Sequence, residues 1–184
     1  RHRDFSDEER MKVAHAIAVG ALRYFLLKYT RSTIIAFDFK DALSFEGETG
    51  PYVQYAVVRA KNIFRKMQEQ EPTFSIGALE KNVNAKSAAE LFAPPEGNDL
   101  WELLLLAGSL DSRVEAAVTA QEPAFVAKYA FELAQAFNVF YHKHHILSEE
   151  NAEKKRLLLL LTAIVERQLI AALELLGIEA PEKM

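Results

Sequence analysis

Residues 37–67 read FDFKDALSFEGETGPYVQYAVVRAKNIFRKM, and the second half of this stretch predicts a helix with a well-marked start. Thr49 and Gly50 suit a helix cap, and Pro51 suits the first turn, where the backbone N–H that proline lacks has no partner within the helix. No further Gly or Pro occurs before Pro72. The stretch therefore predicts one uninterrupted helix that begins near residue 50.

One face of this helix combines an aromatic ring with a small side chain. Four residues share the face at spacings of three or four, namely Tyr52, Ala56, Arg59 and Ile63. Side chains at these spacings are neighbours on a helix, so the first turn presents a ring beside an alanine gap that leaves room for a flat ligand. The charged residues from 49 to 68 are all basic, and they are Arg59, Lys61, Arg65 and Lys66.

The composition favours a helical protein with a sizeable core. Half of the 184 residues are hydrophobic, and seven Gly and six Pro are few for an all-β or loop-rich protein. The chain has no Cys, which excludes disulfides and thiolate metal sites. The leucine run 157–161 is far too short to cross a bilayer, and the charged amino-terminal residues do not form a signal peptide. We therefore expect a cytoplasmic protein with no membrane partner.

The charge of the chain is unevenly distributed. Its net charge is −4, yet residues 10–66 contain ten Lys or Arg against four Asp or Glu, whereas residues 67–184 contain ten against eighteen. This asymmetry indicates a side that faces a polyanion. On charge alone, a solvated helix face explains the pattern equally well.

The rest of the chain predicts further helices and one long connection. Ser6 and Glu9 match a capping box, which predicts a helix over about 7–29, and Gly20 within it indicates a close helix crossing. Residues 30–50 read as a structured loop, because their apolar side chains are too numerous to leave in water. Residues 70–98 read as an insertion with a short helix at about 85–92. With the helices predicted from 99, over 111–119, from 123 and over 150–176, the chain is expected to form an all-α bundle of about five main helices.

The helix that follows Pro123 carries an aromatic stripe in which every fourth residue is large and apolar. Its members are Phe125, Tyr129, Leu133, Phe137 and Tyr141. The first three predict core positions. Phe137 and Tyr141 lie near the helix end, beside a cationic segment that contains Lys143 and three histidines, and rings in such a setting suit stacking on unpaired bases.

The histidines also raise the alternative of a metal-binding bundle. His142 and His145 are one turn apart and are able to share a cation, but no third ligand is evident nearby. We therefore predict no metal site and favour a solvated or phosphate-facing histidine cluster.

Three segments resemble one known family. SFEGETGPYVQYAVVR, residues 44–59, is similar to the start of the anticodon-binding domain of arginyl-tRNA synthetases, a class I family whose carboxyl-terminal module is all-helical. FNVFYHKHHIL (137–147) and LELLGIEAPEKM (173–184) resemble the corresponding later segments. The chain departs from the family pattern at Val57, where members often have His or Tyr, and at residues 171–172, where many have Asn-Gly.

The resemblance implies which residues bind RNA and which partner they bind. It places Tyr52, Ala56 and Met184 around the middle anticodon base of tRNA(Arg), and Phe137 and Tyr141 against the anticodon loop. Since every arginine codon has G in the middle, that base is C. Basic residues near these positions are candidates for phosphate contacts, namely Arg59, Lys61, Arg65, Lys66 and Lys143.

The resemblance also predicts how the domains and activities are divided. Residues 1–36 would lead from a catalytic domain that this chain lacks, and residues 37–184 would form the anticodon-binding bundle. The parent enzyme would attach arginine to tRNA with ATP and Mg²⁺. This chain has neither class I ATP-binding signature, so we predict no catalytic residue and no cofactor within it. The alternative is a helical protein-interaction module that does not bind nucleic acid.

Overall fold

The computed structural model describes residues 6–81, 83–95 and 97–184. These residues form nine α-helices and no strand, and the helices are α1 (Asp7–Leu27), α2 (Phe39–Ala42), α3 (Gly50–Gln70), α4 (Ile76–Lys81), α5 (Ala85–Leu91), α6 (Asn98–Ala107), α7 (Leu110–Ala120), α8 (Ala124–Lys143) and α9 (Ala152–Leu175). A 3₁₀ turn covers Ile146–Ser148. The all-α fold is confirmed. The number of helices is higher than the roughly five main helices predicted, because three of the nine have seven residues or fewer.

The starts of the two amino-terminal long helices follow from local sequence. The Ser6 side chain accepts a hydrogen bond from the backbone N–H of Glu9, and the Glu9 carboxylate accepts one from the backbone N–H of Ser6. Thr49 caps α3 by accepting from the backbone N–H of Tyr52 at 3.3 Å. Both caps satisfy N–H groups that a helix start leaves unpaired, as the sequence predicts.

The crossing of α1 over α3 is made by two glycines. A Cβ atom added at Gly50 would lie 2.4 Å from the backbone oxygen of Gly20, and one added at Gly20 would lie 2.6 Å from the Gln54 amide nitrogen. The close crossing predicted from Gly20 is therefore confirmed. Gln54 is fully buried at this crossing, where its Nε2 donates to the backbone oxygens of Ala16 and Glu179.

The core lies where α3, α8 and α9 meet, with α1 and α6 packed around them. Two buried tyrosines connect neighbouring helices through side-chain hydrogen bonds. The Tyr24 hydroxyl donates to the Ala127 carbonyl and the Tyr129 hydroxyl donates to the Ala107 carbonyl, each at 2.8 Å. Burial raises the pKa of both hydroxyls, so both remain protonated donors.

α3 and α8 run in the same direction. The Tyr52 ring lies 5.5 Å from the Phe131 ring, and further along both helices Arg59 bonds to Asn138. The carboxyl-terminal halves of α3 and α8 therefore reach the same end of the bundle.

The segment predicted as an insertion forms two short helices packed against α9. α5 confirms the short helix predicted at about 85–92, whereas α4 was not predicted. The Phe74 ring stacks on the Phe64 ring at 6.3 Å, which joins the start of this segment to α3. Its assignment as an insertion remains a prediction.

The loop before α3 does not bury its apolar side chains, so that prediction was wrong. Ile34 is 97% exposed and Phe39 is 74% exposed. Phe39 and three further partly exposed side chains line one surface of α1 and the loop, which we call the apolar face and whose members are Leu22, Phe37, Phe39 and Leu43. A cleft of about 280 Å³ lies in this face between α1 and the loop.

Within the described ranges, every helix is too short or too polar to span a lipid bilayer.

The carboxyl-terminal residues 178–184 lie along α3. Lys61 donates to the Ala180 carbonyl and forms an ion pair with Glu182. Gln54 and Lys61 follow Tyr52 by two and nine residues, which at 3.6 residues per turn places both about half a turn around the helix from Tyr52. The tail is therefore held on the side of α3 opposite Tyr52.

Candidate nucleic-acid interface

A groove runs along the carboxyl-terminal half of α3, the end of α8 and the 3₁₀ turn. It consists of two clefts of about 300 and 370 Å³ that share Ile63, Tyr141 and Leu147, and we call it the Tyr141 groove. The first cleft is further lined by Tyr55, Arg59, Asn62, Arg65 and Lys66, and the second by Gln70, His142, His144, His145, Ile146 and Ser148. Aromatic rings, cations and imidazoles are thus concentrated at one end of the bundle.

Arg59 is held in place between α3 and α8. Its guanidinium carbon lies 4.9 Å from the centre of the Tyr55 ring and 4.6 Å from the centre of the Tyr141 ring. Its Nη1 donates to the Asn138 Oδ1 at 2.6 Å. Tyr55 lies one turn before Arg59 on α3, and Asn138 and Tyr141 are one turn apart on α8, so α3 supplies one contact to Arg59 and α8 supplies two. Cation–π contacts of this kind stabilise a guanidinium next to aromatic faces.

The groove has a positive electrostatic character. Arg59, Arg65 and Lys66 line it, and no Asp or Glu of the described residues does. Because the whole chain carries a charge of −4, this lining is not a reflection of overall composition. A site with cations and no carboxylate attracts anionic ligands.

The end of α8, which forms one wall of the Tyr141 groove, is ion-paired with α6. Lys143 Nζ lies 2.8 Å and His144 Nε2 lies 3.2 Å from the Asp99 Oδ2. Burial raises the pKa of Asp99, but hydrogen bonds from Lys143 and His144 outweigh burial and hold the pKa below its usual range. Asp99 therefore stays ionised and fixes the end of α8.

Comparison with known proteins identifies the family. Residues 53–184, well over half of the chain, match the model of the DALR anticodon binding domain. The chain belongs to this family.

Relatives of this DALR domain are considerably longer than the chain. The arginine–tRNA ligase of Streptococcus uberis is 36% identical over 181 residues, and that of Streptococcus pneumoniae is 38% identical over 178 residues. In both comparisons 96% of this chain matches 28% of the relative. The chain thus spans under a third of the length of these curated relatives.

Solved structures show the same fold. The arginyl-tRNA synthetase of Thermus thermophilus is 29% identical with a TM-score of 0.71, and covers 98% of this chain with 28% of its own. The synthetase of Plasmodium falciparum is 25% identical with a TM-score of 0.75, and covers 94% of this chain with 28% of its own. The predicted relation to the helical module of arginyl-tRNA synthetases is therefore confirmed.

The structure places the predicted base contacts of the DALR domain in different environments. Tyr141 is half-buried and lies in the groove. Ala56 and Phe137 have no exposed surface and belong to the core, and base contacts by these two residues remain predictions. Both follow the helical spacing of the site, but the faces they occupy are covered by neighbouring helices.

In the predicted pocket, Tyr52 and Met184 keep exposed surface, whereas Ala56 is in the core. The half-buried Tyr52 ring packs on Phe131, toward the amino-terminal end of α8 and away from the groove. Met184 is half-buried at the end of the tail, which Lys61 fastens to the opposite side of α3. Base contacts by Tyr52 and Met184 remain predictions.

The predicted phosphate contacts divide in the same way. Arg65 and Lys66 are exposed in the groove, and Arg59 lies between its rings. Lys61 instead faces the tail, because Glu182 and the Ala180 carbonyl hold it there. Lys143 is paired with Asp99 and stabilises the groove wall.

The sequence prediction missed Tyr55, which is 41% exposed and lines the groove. It lies three residues after Tyr52 in the same motif, and its spacing of four from Arg59 was the available signal. It also missed the role of Asn138 as the hydrogen-bond partner of Arg59.

The three histidines do not converge on a metal geometry. Across the part of the chain that the structure describes, no group of three or more His, Cys, Asp or Glu is placed to hold a metal ion. His144 is instead engaged with Asp99, while His142 and His145 are exposed at the groove.

Proposed function

We propose that this DALR domain binds the anticodon loop of tRNA(Arg) as part of an arginine–tRNA ligase. The observation that carries the proposal is the Tyr141 groove, in which two tyrosines and three basic side chains meet without a carboxylate among the described lining residues. Its relatives named as arginine–tRNA ligases support the choice of tRNA.

Base stacking and phosphate attraction would act together in this groove. An unpaired base splayed from the loop stacks on Tyr55 or Tyr141, and such stacking contributes about 1–3 kcal/mol per base. Arg65 and Lys66 are exposed and would contact the phosphates, and each neutralised phosphate releases counterions. The proposed occupant of the groove is an unpaired base of the anticodon loop, and Tyr52, Ala56 and Met184 remain the proposed contacts of the middle base C.

The chemistry of arginylation would lie outside these 184 residues. Class I nucleotide sites are built at the ends of parallel strands, and the described residues form no strand. We therefore assign no ATP or Mg²⁺ contact to this chain. The proposed ligase activity belongs to a longer polypeptide that contains this domain.

The apolar face is the proposed contact of the DALR domain with the rest of that polypeptide. Exposed apolar side chains in one continuous surface mark interaction sites, and full burial of each large one contributes about 1.5–3 kcal/mol. The relatives have more than twice as much additional chain as this domain contains, since the domain matches 28% of them. A second domain of the same polypeptide is thus the occupant that we propose.

Binding of an anticodon stem-loop tests the proposed RNA function. We expect Tyr141→Ala and Tyr55→Ala each to weaken binding about 5- to 150-fold, because each removes a stacking surface worth about 1–3 kcal/mol. Fluorescence anisotropy with a labelled stem-loop measures the affinity. Phe45→Ala is the matched control, since Phe45 is an exposed ring outside the groove lining.

Salt dependence separates this function from a protein-interaction module. RNA binding through Arg65 and Lys66 is expected to weaken steeply between about 50 and 200 mM salt. Circular dichroism of each variant verifies the fold. Stem-loop affinity that is unchanged in both tyrosine variants and insensitive to salt would contradict the proposal.

A further inference from the structure

The side chain of Lys61 is enclosed by acidic and carbonyl groups. It is 17% exposed, and its Nζ donates to the Ala180 carbonyl and forms an ion pair with Glu182. Glu166 of α9 lies close to both charges. Burial raises the pKa of the Glu166 carboxyl, and the Lys61 charge opposes this shift while the Glu182 charge adds to it. A phosphate placed beside Lys61 would therefore face acidic groups, which repel it.

The tail is attached to α3 at two positions. Gln54 is fully buried, and its Nε2 donates to the Glu179 carbonyl at 2.7 Å and to the Ala16 carbonyl of α1 at 3.0 Å. Lys61 binds the next residues of the tail and lies about 10 Å further along the helix than Gln54. The tail therefore runs parallel to α3, toward the end of the bundle at which the Tyr141 groove lies.

The position of Met184 depends on the second attachment. Met184 is half-buried and follows Glu182 by two residues, which span at most about 7 Å. Ile178 and Pro181 are buried, so the tail has apolar contacts besides those of Lys61. Loss of the Lys61 side chain is thus expected to shift the residues that follow Pro181 rather than to unfold the chain.

We infer that Lys61 is a positioning residue, which increases the affinity for RNA by holding Met184 in place and does not itself contact a phosphate. This inference rests on the proposed function, in which Met184 is an RNA contact. Arg65 follows Lys61 by one turn on α3, yet it is exposed and lines the groove. Lys61 thus acts through the geometry of the tail, and Arg65 acts through its charge.

A double-mutant cycle with the labelled anticodon stem-loop tests the inference. Fluorescence anisotropy at several salt concentrations gives the affinity of the unchanged chain, Lys61→Ala, Met184→Ala and the double variant. Met184→Ala is expected to weaken binding about 10-fold, because an apolar contact of this size is lost. Lys61→Ala is expected to weaken binding by up to the same factor. The double variant should bind like Met184→Ala, since Lys61 acts through Met184.

The salt slope, which is the change of log affinity with log salt concentration, separates positioning from phosphate attraction. Lys61→Ala is expected to leave the slope unchanged. Arg65→Ala is the matched control, and it should reduce the slope by about one phosphate contact. The effects of Arg65→Ala and Met184→Ala on affinity are expected to multiply, because these residues act independently.

Glu182→Ala provides a second test that keeps the Lys61 charge. The Glu182 side chain is 83% exposed, so this variant is expected to fold and carries the test if Lys61→Ala does not. Its control is Glu174→Ala, which removes an exposed carboxylate of α9 outside the tail. If Lys61 positions the tail, Glu182→Ala binds the stem-loop more weakly than Glu174→Ala. Tighter binding by Glu182→Ala would show that a released ammonium attracts phosphate, and would overturn the inference.

Three further results would also contradict this role of Lys61. Effects of Lys61→Ala and Met184→Ala that multiply, with a reduced salt slope in Lys61→Ala, would identify Lys61 as a phosphate contact. Unchanged affinity in Lys61→Ala or in Met184→Ala would overturn the inference and leave the proposed function in place. Absence of stem-loop binding by the unchanged chain would instead overturn the proposed function, and the role of Lys61 with it.

Discussion

At the scale of single residues, Gly50 determines how closely α1 and α3 approach. We expect Gly50→Ala to destabilise the fold by about 1–3 kcal/mol, because the new methyl group meets the Gly20 backbone rather than a flexible side chain. Urea unfolding measures the change. Gly77→Ala is the control, since no atom lies within 4 Å of a Cβ there and alanine favours the α4 helix. Equal unfolding midpoints for the two variants would contradict this account of the crossing.

Single residues also show that local features are predictable from sequence, whereas the exposure of a particular side chain is not. The caps at Ser6 and Thr49 and the role of Gly20 depend on nearby residues or on one close contact, and they were predicted correctly. Tyr52 and Tyr55 lie in one motif on neighbouring parts of α3, so periodicity alone does not decide which ring stays accessible. Phe131 of α8 covers part of Tyr52, and this contact comes from a residue 79 positions later in the chain.

At the scale of elements, the pairing of Asp99 in α6 with Lys143 and His144 at the end of α8 is expected to contribute stability that varies with pH. The pKa of Asp99 is lowered in the folded chain, so its ionised form contributes stability above the ordinary aspartate pKa of about 3.9. This contribution is lost as the pH falls through the lowered pKa. Stability measured by urea unfolding at successive acidic pH values should therefore fall less steeply in Asp99→Asn than in the unchanged chain. Parallel pH profiles would show that the link does not contribute.

Elements also explain why the helical class was predictable and the helix count was not. The long helices have strong periodicity and clear caps, whereas α4 has six residues and follows a segment with an uneven pattern. The position of α4 is determined by its packing against α9, and this packing cannot be predicted from the sequence of α4 alone. The same limit applies to Ala56 and Phe137, whose burial results from neighbouring helices.

At the scale of the whole molecule, the apolar face predicts a stability difference between the domain and a longer protein. Phe39→Ser is expected to lower the unfolding free energy of this chain by no more than about 1.5 kcal/mol, because Phe39 is 74% exposed and makes one edge contact with the Phe37 ring. In the longer polypeptide the same change should cost about 1.5–3 kcal/mol more, since the side chain would be buried there. Chemical denaturation of both proteins measures the two values.

The matched control for this comparison lies on another surface. Val118 is an exposed apolar residue of α7, and Val118→Ser is expected to have little effect in either protein. A Phe39→Ser effect that is equal in both proteins would exclude the apolar face as the domain contact. The sequence reveals the apolar side chains themselves, but only the folded arrangement shows that they remain uncovered and adjacent.

The parallel course of α3 and α8 has a consequence for the charge balance of the groove. Both helices end there, and the unpaired carbonyls of a helix end carry about half a negative elementary charge. Arg65 and Lys66 lie near one such end, and His142 and Lys143 near the other. The helix macrodipoles thus supply a diffuse negative potential at this end of the bundle, which lowers the repulsion among its cations although no Asp or Glu of the described residues lines the groove.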